Sequence, residues 1–428
     1  MLAGTRYANV WEETAVAPPP VPPLEGSHAA SVLVIGAGYL GLSAALHLAE
    51  AGVDVLVADA EMPGWGASGR NGGQVIPGLK YDPSELEVMF GRERGTRIWQ
   101  FAGAAADFVL DLVARLALDC SARRATWIQG IHSEKAAARA QQRVDDWIKR
   151  GARVEYLDRT RVGAIAGTDV YLGAFADHRA AALQPLSYAR ELARAAVAAG
   201  ARVRTQARIV KLEAEGAGWR AISAEGAAVR ADTVVVATNA YADGLVPGLA
   251  RSIVALNSLQ IATAPIPASA RTKLLPNGET LSDTRRVIRY YRLDDEGRLL
   301  LGGRGPLAET DAEPAWRHLA RDVRTLFPAL ADIPFTHRWG GRVAVHVDYV
   351  PRLHRPRPQM LVAVGCQGRG VAWQTAMGAE LARIVVDPQY EPVLPFTPVK
   401  PIPMYPLKTL GVGATIATYR VLDRLGFT

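Results

Sequence analysis

Short apolar runs alternate with amphipathic stretches along most of this chain, and that arrangement is typical of an α/β protein. The first run, 32–35, is rich in β-branched residues and predicts a buried parallel strand. Apolar residues at helical spacing follow between Leu42 and Ala49, and Gly52 stands where it would end that helix. A second apolar run, 53–57, predicts the next strand. Together these segments predict a βαβ unit near the N-terminus.

The later part of the chain predicts further strands and helices. Continuous apolar runs at 233–238 and 360–364 predict buried strands that each lead into a loop. Alternation between 250 and 305 predicts an antiparallel sheet, and the apolar spacing within 84–150 predicts helices. Residues 415–425 predict an amphipathic helix that packs on the body of the protein, with contact to a membrane surface as the alternative.

These elements predict a mixed α/β fold, with a Rossmann-like dinucleotide-binding domain and an interleaved substrate domain built on the antiparallel sheet. Residues 17–23 are mostly proline, so the N-terminal segment is expected to form an extended arm along the surface. The predicted division places the arm at 1–30, the cofactor domain at 31–83, 184–248 and 341–392, the substrate or cap domain at 84–183 and 249–340, and a C-terminal tail with the amphipathic helix at 393–428.

The turn after the first strand carries a G-x-G-x-x-G motif at Gly36, Gly38 and Gly41. The first glycine permits the tight turn, the second lets backbone approach a pyrophosphate, and the third lets helix and strand pack closely. The helix N-terminus offers free N–H groups to the phosphates. Asp59 follows the second strand, where a carboxylate would bind both ribose hydroxyls and disfavour the 2′-phosphate of NADP. The motif predicts dinucleotide binding; an ordinary βαβ unit with a glycine-rich turn is the alternative.

Two other glycine-rich stretches are candidates for the same cofactor. Residues 64–74 mix glycines with polar side chains, as a backbone that passes a flat cofactor would require; a flexible surface loop is the alternative. Within this stretch, Ser68 is suited to binding a phosphate. Residues 365–370 lie between a predicted strand and a predicted helix, so they would bring N–H groups to the far end of the cofactor.

Composition narrows the class of protein. The chain has 428 residues, of which 49% are hydrophobic and 21% charged, as in globular proteins. Its only cysteines, Cys120 and Cys366, permit neither a disulfide scaffold nor a zinc site, and they suit a reducing cytoplasm. No metal site, secretory signal or membrane span is predicted. The net charge of +7 is attributed to arginines spread over a solvated surface rather than to a nucleic-acid groove.

These motifs resemble those of the FAD-dependent D-amino acid oxidase superfamily, and in particular its amine-oxidising branch. The likeness covers nearly the whole chain and is most specific at 66–74. It also includes the segments 22–26, 183–185, 237–241, 298–303, 339–341 and 365–371. The resemblance implies the glutathione-reductase-type fold with one extended, non-covalently bound FAD, whose ADP half lies on the first glycine motif and whose flavin reaches the substrate sheet.

The resemblance also implies which residues contact FAD. The adenine would lie near Ile209, and the pyrimidine end of the flavin near Gly368, Arg369 and Gly370. The complete set of implied cofactor residues is Gly36, Gly38, Tyr39, Leu40, Gly41, Asp59, Ala60, Gly66, Ala67, Ser68, Arg70, Asn71, Gly72, Gly73, Gln74, Ile209, Ala237, Thr238, Gly340, Gly368, Arg369, Gly370 and Val371.

Two positions depart from the pattern of the superfamily. Arg369 stands where relatives often have histidine, and Arg352 follows Pro351 where relatives often have Pro-His. A permanent positive charge at Arg369 would stabilise reduced flavin, while its effect on the substrate or acceptor stays open.

Three side chains are candidates for catalysis. His346 is the candidate titratable group, with a structural histidine at a strand end as the alternative. Arg292, with Tyr290 or Tyr291, is the candidate for holding a substrate carboxylate through forked hydrogen bonds, with a salt bridge at the rim as the alternative. Removal of a hydride from a neutral amine does not require a dedicated base.

The resemblance implies oxidation of the C–N bond of an amine or N-substituted amino acid, γ-glutamylputrescine-like or sarcosine-like. Hydride would pass to flavin N5, the imine would hydrolyse, and oxygen would be reduced to peroxide. The alternatives are a dehydrogenase that passes electrons to a quinone or carrier, and a non-catalytic flavoprotein subunit. The expected partners are a small amine or amino-acid substrate and oxygen or an electron carrier, without nucleic acid or membrane contact.

Overall fold

The computed structural model describes Leu2 and residues 4–424. Its strands, in chain order, are β1 (Arg6–Tyr7), β2 (Ser27–Ile35), β3 (Val55–Ala58), β4 (Gln74–Val75), β5 (Arg123–Arg124), β6 (Trp127–Gly130), β7 (Val154–Asp158), β8 (Gly173–Asp177), β9 (Ala181–Ala182), β10 (Arg202–Arg204), β11 (Ile209–Glu215), β12 (Gly218–Ser223), β13 (Ala228–Val236), β14 (Val254–Pro265), β15 (Thr280–Asp283), β16 (Arg289–Leu293), β17 (Arg298–Arg304), β18 (Phe335–Val345), β19 (Arg352–His354) and β20 (Met360–Val364).

The α-helices cover or connect these strands. In chain order they are α1 (Trp11–Thr14), α2 (Tyr39–Glu50), α3 (Pro83–Phe90), α4 (Arg92–Leu116), α5 (Glu134–Ile148), α6 (Arg159–Ala166), α7 (Pro185–Ala198), α8 (Leu249–Ser252), α9 (Ala268–Arg271), α10 (Arg317–Leu326), α11 (Gly370–Val386) and α12 (Lys408–Arg424). Within the described ranges, none of them is both long and apolar enough to cross a membrane.

One sheet forms the cofactor half of the molecule. Over the residues described, its strands run in the order β10-β3-β2-β13-β12-β11, and β20 adds beside β13. The strands β10, β3, β2 and β13 are parallel, with β2 and α2 forming the predicted βαβ unit together with β3. The start of β13 pairs with antiparallel β12, whereas its last residues, 234–236, pair with parallel β20. The predicted mixed α/β fold is confirmed.

Helices α2, α4, α7 and α11 pack on one face of this sheet in one apolar core. Alternate residues of β2 face opposite sides, so Val34 joins the core beneath α2 and Leu33 the core on the other face. A Cβ on Gly378 would lie 2.5 Å from the Leu40 carbonyl oxygen, which shows how closely α11 approaches α2.

The long helix α4 belongs to the same core. The predicted division assigns it to the cap, yet Ile98 and Val109 are fully buried with residues of α2 and α11. Its apolar stripe correctly indicated a buried face. Such a stripe does not identify the element that covers it, because any apolar surface at the right distance satisfies it.

A second sheet forms the substrate half. In the described chain its strands run in the order β1-β18-β14-β17-β16-β15-β6-β8-β7. The predicted antiparallel pairing is present in β14, β16, β17 and β18. One face packs on α10 in a core that includes Ile261, Leu301 and Leu319. The other face is turned towards the glycine-rich loops of the cofactor half.

Both ends of the chain pack against this body. β1 pairs with β18, and Trp11 is 1% exposed, so part of the predicted surface arm is buried. The proline-rich composition that predicted an arm is confined to residues 17–23. Apolar residues that precede this segment are buried in a hydrophobic core. At the other end α12 covers more residues than predicted, and Leu425, the predicted helix end, lies outside the described residues. The Asp423 carboxylate accepts the backbone N–H groups of Arg286 and Val287 at 2.9 and 3.2 Å.

Candidate active site

The first glycine loop, 36–41, leaves a space free of side chains at the N-terminus of α2. Gly36 has a φ of +112°, and a Cβ there would lie 3.0 Å from the Ala237 carbonyl oxygen. A Cβ on Gly38 would lie 2.9 Å from Ser68 Oγ, and one on Gly41 only 1.9 Å from the Gly36 carbonyl oxygen. Free N–H groups at a helix N-terminus beside such a space suit a pyrophosphate.

Asp59 lies beside that loop at the end of β3. Its Oδ2 accepts the Ala37 N–H at 2.5 Å, and its Oδ1 accepts the Glu61 N–H at 2.8 Å. Burial raises the pKa of this carboxyl, and the two N–H groups oppose the rise. Each carboxylate oxygen retains a lone pair after its N–H contact. These acceptor oxygens therefore fit the ribose hydroxyls of an adenine dinucleotide, which would donate to them.

The second glycine loop, 64–74, is held in shape by Asn71. Its Nδ2 donates to the Ser68 carbonyl at 2.7 Å and to the Tyr39 hydroxyl at 3.1 Å, while its Oδ1 accepts the Gly73 N–H at 2.8 Å. The amide of Asn71 is thus used within the loop, which presents backbone to the space beside it. Ser68 Oγ accepts the Tyr39 N–H at 3.1 Å and joins this loop to the first.

The same loop is clamped between the two halves by Arg70. Its guanidinium lies 4.4 Å from the centroid of Trp65 and its Nε donates to the Trp65 carbonyl at 2.7 Å. Its own carbonyl oxygen accepts Gln260 Nε2 at 2.6 Å and Trp339 Nε1 at 3.0 Å. Both donors belong to the substrate sheet, so the sheet face that carries them covers the second glycine loop.

The third glycine loop, 365–370, meets the end of β13. Asn239, with a φ of +45°, accepts the Gly365 N–H at Oδ1 at 3.0 Å. Ala237 and Thr238 precede it at the carboxyl edge of the sheet, as predicted for a nucleotide site. Asn239 was not among the predicted site residues. Its position directly after a buried strand is the signal that could have identified it.

Arg369 extends from the third loop into the interior. Its Nη1 donates to the Pro77 carbonyl at 2.5 Å, and its guanidinium lies 5.1 Å from the centroid of Trp127. Burial, helped by the charge of Arg143, lowers the pKa of Arg369 to about 9, so the guanidinium stays positive at neutral pH. Arg369 therefore brings a permanent charge between the cofactor half and the substrate sheet.

Strand register identifies the side chains that face the loops. Tyr290, Gln260 and Trp339 occupy one cross-strand row, and the last two bind the second glycine loop. The Tyr290 hydroxyl lies 2.7 Å from Ser258 Oγ, and a Cβ on Gly72 would lie 3.3 Å from the Tyr290 ring. Tyr290 is the strand β16 tyrosine on the cofactor side.

Tyr291 and Gly340 face the other way, because successive residues of a strand alternate. Tyr291 is 1% exposed and packs edge-to-face on Phe327 in the far core. A Cβ on Gly340 would point at Leu259 in the same core, whereas one on Gly341 would lie 3.3 Å from Arg70 Cβ. The structure therefore places Tyr290 and Gly341, rather than Tyr291 and Gly340, beside the loops.

Arg292 also faces the loops, but its charge is used internally. Its Nη1 donates to the carbonyls of Gly73 and Leu183 at 2.9 and 3.1 Å, and its guanidinium lies 5.3 Å from the centroid of Trp11. The side chain is buried, and burial lowers its pKa to about 10. Arg292 supports the second glycine loop, so a substrate carboxylate requires another cation.

His346 is a neutral buried histidine that lies against the third loop. Its backbone N–H donates to Gln367 Oε1 at 3.3 Å, which orients the amide so that Nε2 donates to His346 Nδ1 at 3.1 Å. A Cβ on Gly365 would lie 2.5 Å from Nδ1. Burial, with the charge of Arg352, lowers the pKa of His346 to about 4. Through these contacts His346 packs against the third loop and fixes the orientation of the Gln367 amide.

Lys80 stands in the cleft between the halves. The side chain is reached by solvent, yet surrounding protein and the charge of Arg369 lower its pKa to about 8. Its Nζ lies 5.7 Å from the centroid of Tyr349, in a turn tied down by the hydrogen bond from Tyr81 to the Asp348 carbonyl at 2.8 Å. Lys80 was not predicted, because nothing in its sequence neighbours carries a motif.

The remaining predicted cofactor residues line the same three loops or adjoin them. Tyr39 and Leu40 form the first turn of α2, Ala60 follows Asp59, Gly66 and Ala67 lie in the second loop with Gln74 at its end, Ile209 begins β11, and Gly368, Gly370 and Val371 lie at the start of α11.

The two tyrosines of β16 give a matched test of this register. We expect Tyr290→Phe to change the rate of turnover several-fold and to cost about 1 kcal/mol, because its ring faces the second glycine loop and its hydroxyl bonds Ser258. We expect Tyr291→Phe to leave the rate unchanged and to cost about 1 kcal/mol or less, since the bond from its hydroxyl to the Ala166 carbonyl is long, at 3.4 Å. Steady-state kinetics and urea unfolding of both variants measure this; the reverse pattern would contradict the register argument.

His346 predicts a pH dependence of stability. Its pKa is about 4 when folded against an ordinary 6.5, so the unfolded chain binds more protons between those values. The full free energy of unfolding is present above pH 6.5. It decreases by up to about 3 kcal/mol as the pH falls towards and through 4. We expect His346→Gln to flatten this part of the curve. Urea unfolding of both proteins at neutral and acidic pH tests it; parallel curves would contradict it.

A dinucleotide cradle, two further glycine loops and a covering antiparallel sheet define an FAD-type oxidoreductase. The family model for FAD dependent oxidoreductases, DAO, matches residues 31–384, and the chain belongs to this family. It is therefore an FAD-dependent oxidoreductase.

Named relatives span nearly the whole chain. A probable oxidoreductase OrdL of Rhizobium meliloti (strain 1021) is 32% identical over 378 residues, 87% of each chain. Gamma-glutamylputrescine oxidoreductase of Escherichia coli (strain K12) is 28% identical over 415 residues, 95% of this chain and 96% of the relative. The crystal structure of glycine oxidase from Geobacillus kaustophilus superposes with a TM-score of 0.73 at 20% identity, over 88% of this chain and 99% of that one, and shares the fold.

Proposed function

We propose that this protein is an amine oxidase that converts an amine or N-substituted amino acid to an imine. Water would hydrolyse the imine, bound FAD would supply the acceptor for the electron pair, and oxygen would take up that pair with two protons to give hydrogen peroxide. The observation that supports this proposal is the polar face of the substrate sheet. It lies directly over the second glycine loop, with the Tyr290 ring within contact distance of Gly72.

The residues of the chain have separate tasks in this proposal. Bound FAD supplies the two-electron acceptor. The first glycine loop and Asp59 hold the ADP half, and the second loop supplies backbone beside the flavin. The substrate would lie beside the contact between Tyr290 and that loop, whose position the sheet fixes through its bonds to Arg70.

The surroundings favour a neutral amine, the form that can give up a hydride. Arg369 and Lys80 both stand in or beside the cleft, and neither forms an ion pair with a carboxylate among residues 4–424. Positive charge and partial desolvation both lower the pKa of a bound amine. No side chain needs to act as a base, and His346, neutral and bonded to Gln367, retains the shape of the third loop.

The γ-glutamylputrescine-like substrates are favoured over sarcosine-like ones on one ground. The relative named for gamma-glutamylputrescine aligns over 95% of this chain. Substrates of both kinds carry a carboxylate as well as the C–N bond that is oxidised. The two kinds differ in the length of the chain between these two groups, so this length decides which kind fits.

An anaerobic absorbance titration of the purified protein with a panel of amines tests the proposal. We expect a yellow protein that is bleached by one class of amine and regains colour with release of peroxide in air. Bleaching without recovery in air would identify a dehydrogenase that needs another acceptor. A flavin that no amine bleaches, while dithionite does, would indicate a non-catalytic flavoprotein and refute the proposal.

A further inference from the structure

Three cations act on Tyr349, one of them at a ring-contact distance. Lys80 Nζ lies 5.7 Å from the ring centroid. Arg304 and Arg286 act on the hydroxyl and lower the pKa of Tyr349 against the larger, opposite effect of its burial. Within the described ranges none of the three cations forms an ion pair with a carboxylate. This recess therefore carries positive charge that the protein does not balance.

Arg304 gives the clearest indication of a missing ligand. It pairs with Ser258 across the sheet, two residues beyond Gly302, and so lies on the face that carries Tyr290. Its Nε is buried and has no hydrogen-bond partner in the part of the chain that the structure describes. A buried guanidinium N–H without an acceptor is costly. An anion in the recess would satisfy it.

Lys80 approaches the same recess from the cofactor half. Its side chain remains reachable by solvent, although the protein around it is dense enough to lower its pKa to about 8. A bound anion would gain a charge-assisted hydrogen bond from this exposed ammonium group. The site is thus built from both halves of the molecule.

The C-terminal helix α12 forms the outer wall. The Arg286 guanidinium lies 5.1 Å from the centroid of Tyr419, and the Tyr419 hydroxyl is close enough to Tyr349 to raise its pKa. Asp423, the carboxylate on this part of the helix, accepts the backbone N–H groups of Arg286 and Val287. It holds the helix in place and leaves the cations of the recess without a paired carboxylate.

We propose that this recess binds a carboxylate carried by the amine substrate, with α12 as the wall that limits its size; the inference rests on the proposed amine oxidation. The ligand is a carboxylate on the same molecule as the oxidised C–N bond. That carboxylate belongs either to a short N-substituted amino acid or to the far end of a longer acyl arm, and the recess, reached past Tyr290, sets which length fits.

Charge-neutral variants test the site with kinetics. Lys80→Met and Arg304→Met are expected to lower kcat/KM for a carboxylate-bearing amine by about 10–100-fold, mainly through KM, as loss of a charged hydrogen bond predicts. Arg304→Met should leave kcat/KM for the amide analogue of that amine within about twofold. Lys149→Met and Arg321→Met, at exposed positions away from the cleft, serve as matched controls.

Ligand binding gives a readout that does not depend on turnover. Acetate and glutarate, a short and a longer carboxylate that cannot be oxidised, are titrated into the flavin-loaded enzyme while the flavin absorbance is recorded. We expect saturable perturbation in the wild-type protein, weakened about tenfold or more in Arg304→Met. Tighter binding of acetate indicates the short acid, and tighter binding of glutarate the longer arm. Tyr419→Ala removes an aromatic side chain from the wall formed by α12. This variant should therefore reduce the difference between the affinities for acetate and for glutarate.

The outcomes separate this inference from the proposed function. Equal use of the acid and its amide, or carboxylate binding unchanged by both Lys80→Met and Arg304→Met, would overturn the subsite while amine oxidation stands. Failure of every amine to bleach the flavin would instead overturn the proposed function. Because the Lys80 side chain is exposed, its variant should fold even if the Arg304 variant does not.

Discussion

Replacing Gly41 by alanine is expected to yield a protein that retains no FAD. A Cβ at this position would lie 1.9 Å from the Gly36 carbonyl oxygen and 3.1 Å from Val34 Cγ1, and neither neighbour can move without distorting the first glycine loop or β2. Overpacking of this kind costs about 1–3 kcal/mol in stability. The larger loss should appear in the cofactor, because the displaced backbone is the surface that receives the pyrophosphate.

The measurement is the flavin absorbance of the purified variant, followed by titration with FAD. Gly244→Ala is a suitable control, since no heavy atom lies within 4 Å of a Cβ placed on Gly244. We expect the control to copurify with flavin like the wild-type protein. If Gly41→Ala is yellow and as stable as the control, the close approach of helix and strand described here is wrong.

Asp59→Asn is expected to weaken FAD binding by about 10–100-fold, the range for a lost charge-assisted hydrogen bond. Both carboxylate oxygens accept a backbone N–H, from Ala37 and Glu61. An asparagine has one acceptor oxygen, so its NH2 group must face one of those donors. The substitution therefore removes the charge that attracts the ribose and disturbs the loop that holds the pyrophosphate.

Titration of the apoprotein with FAD, followed by flavin fluorescence, measures the change. Asp54→Asn provides the control, because Asp54 lies just before the same strand and only pairs with Arg202 on the surface at 2.6 Å. An exposed pair of this kind contributes little. Equal FAD affinity in Asp59→Asn and Asp54→Asn would show that the carboxylate does not take part in binding.

Much of the cofactor half could be predicted from the sequence, because its information is local. The run at 32–35, the glycines at 36–41 and Asp59 specify strand, turn, helix and carboxylate within one βαβ unit. The turn glycines can be predicted from the sequence because close backbone contacts exclude a side chain at these positions. The same reasoning predicted the third glycine loop, although its glycines do not follow the G-x-G-x-x-G spacing.

The site in the substrate half was harder to predict from the sequence. It depends on which face of a strand each side chain occupies and on contacts between residues that are far apart in the chain. A choice between Tyr290 and Tyr291 depends on which face of β16 is turned to the loops, and a one-residue shift reverses it. The role of Arg292 depends on Gly73 and Leu183, which are far from it in sequence. Lys80 becomes a candidate only when the turn at Tyr349 is seen beside it.

The position of β13 between β2 and β20 has a consequence for synthesis of the protein. While the chain emerges from the ribosome, β2 and β13 can pair before β20 exists, and 234–236 of β13 then form a free apolar edge. The third glycine loop and α11 arrive later still. Flavin capture must therefore wait until most of the chain has been made, and a stalled chain is a candidate for aggregation rather than a smaller flavoprotein.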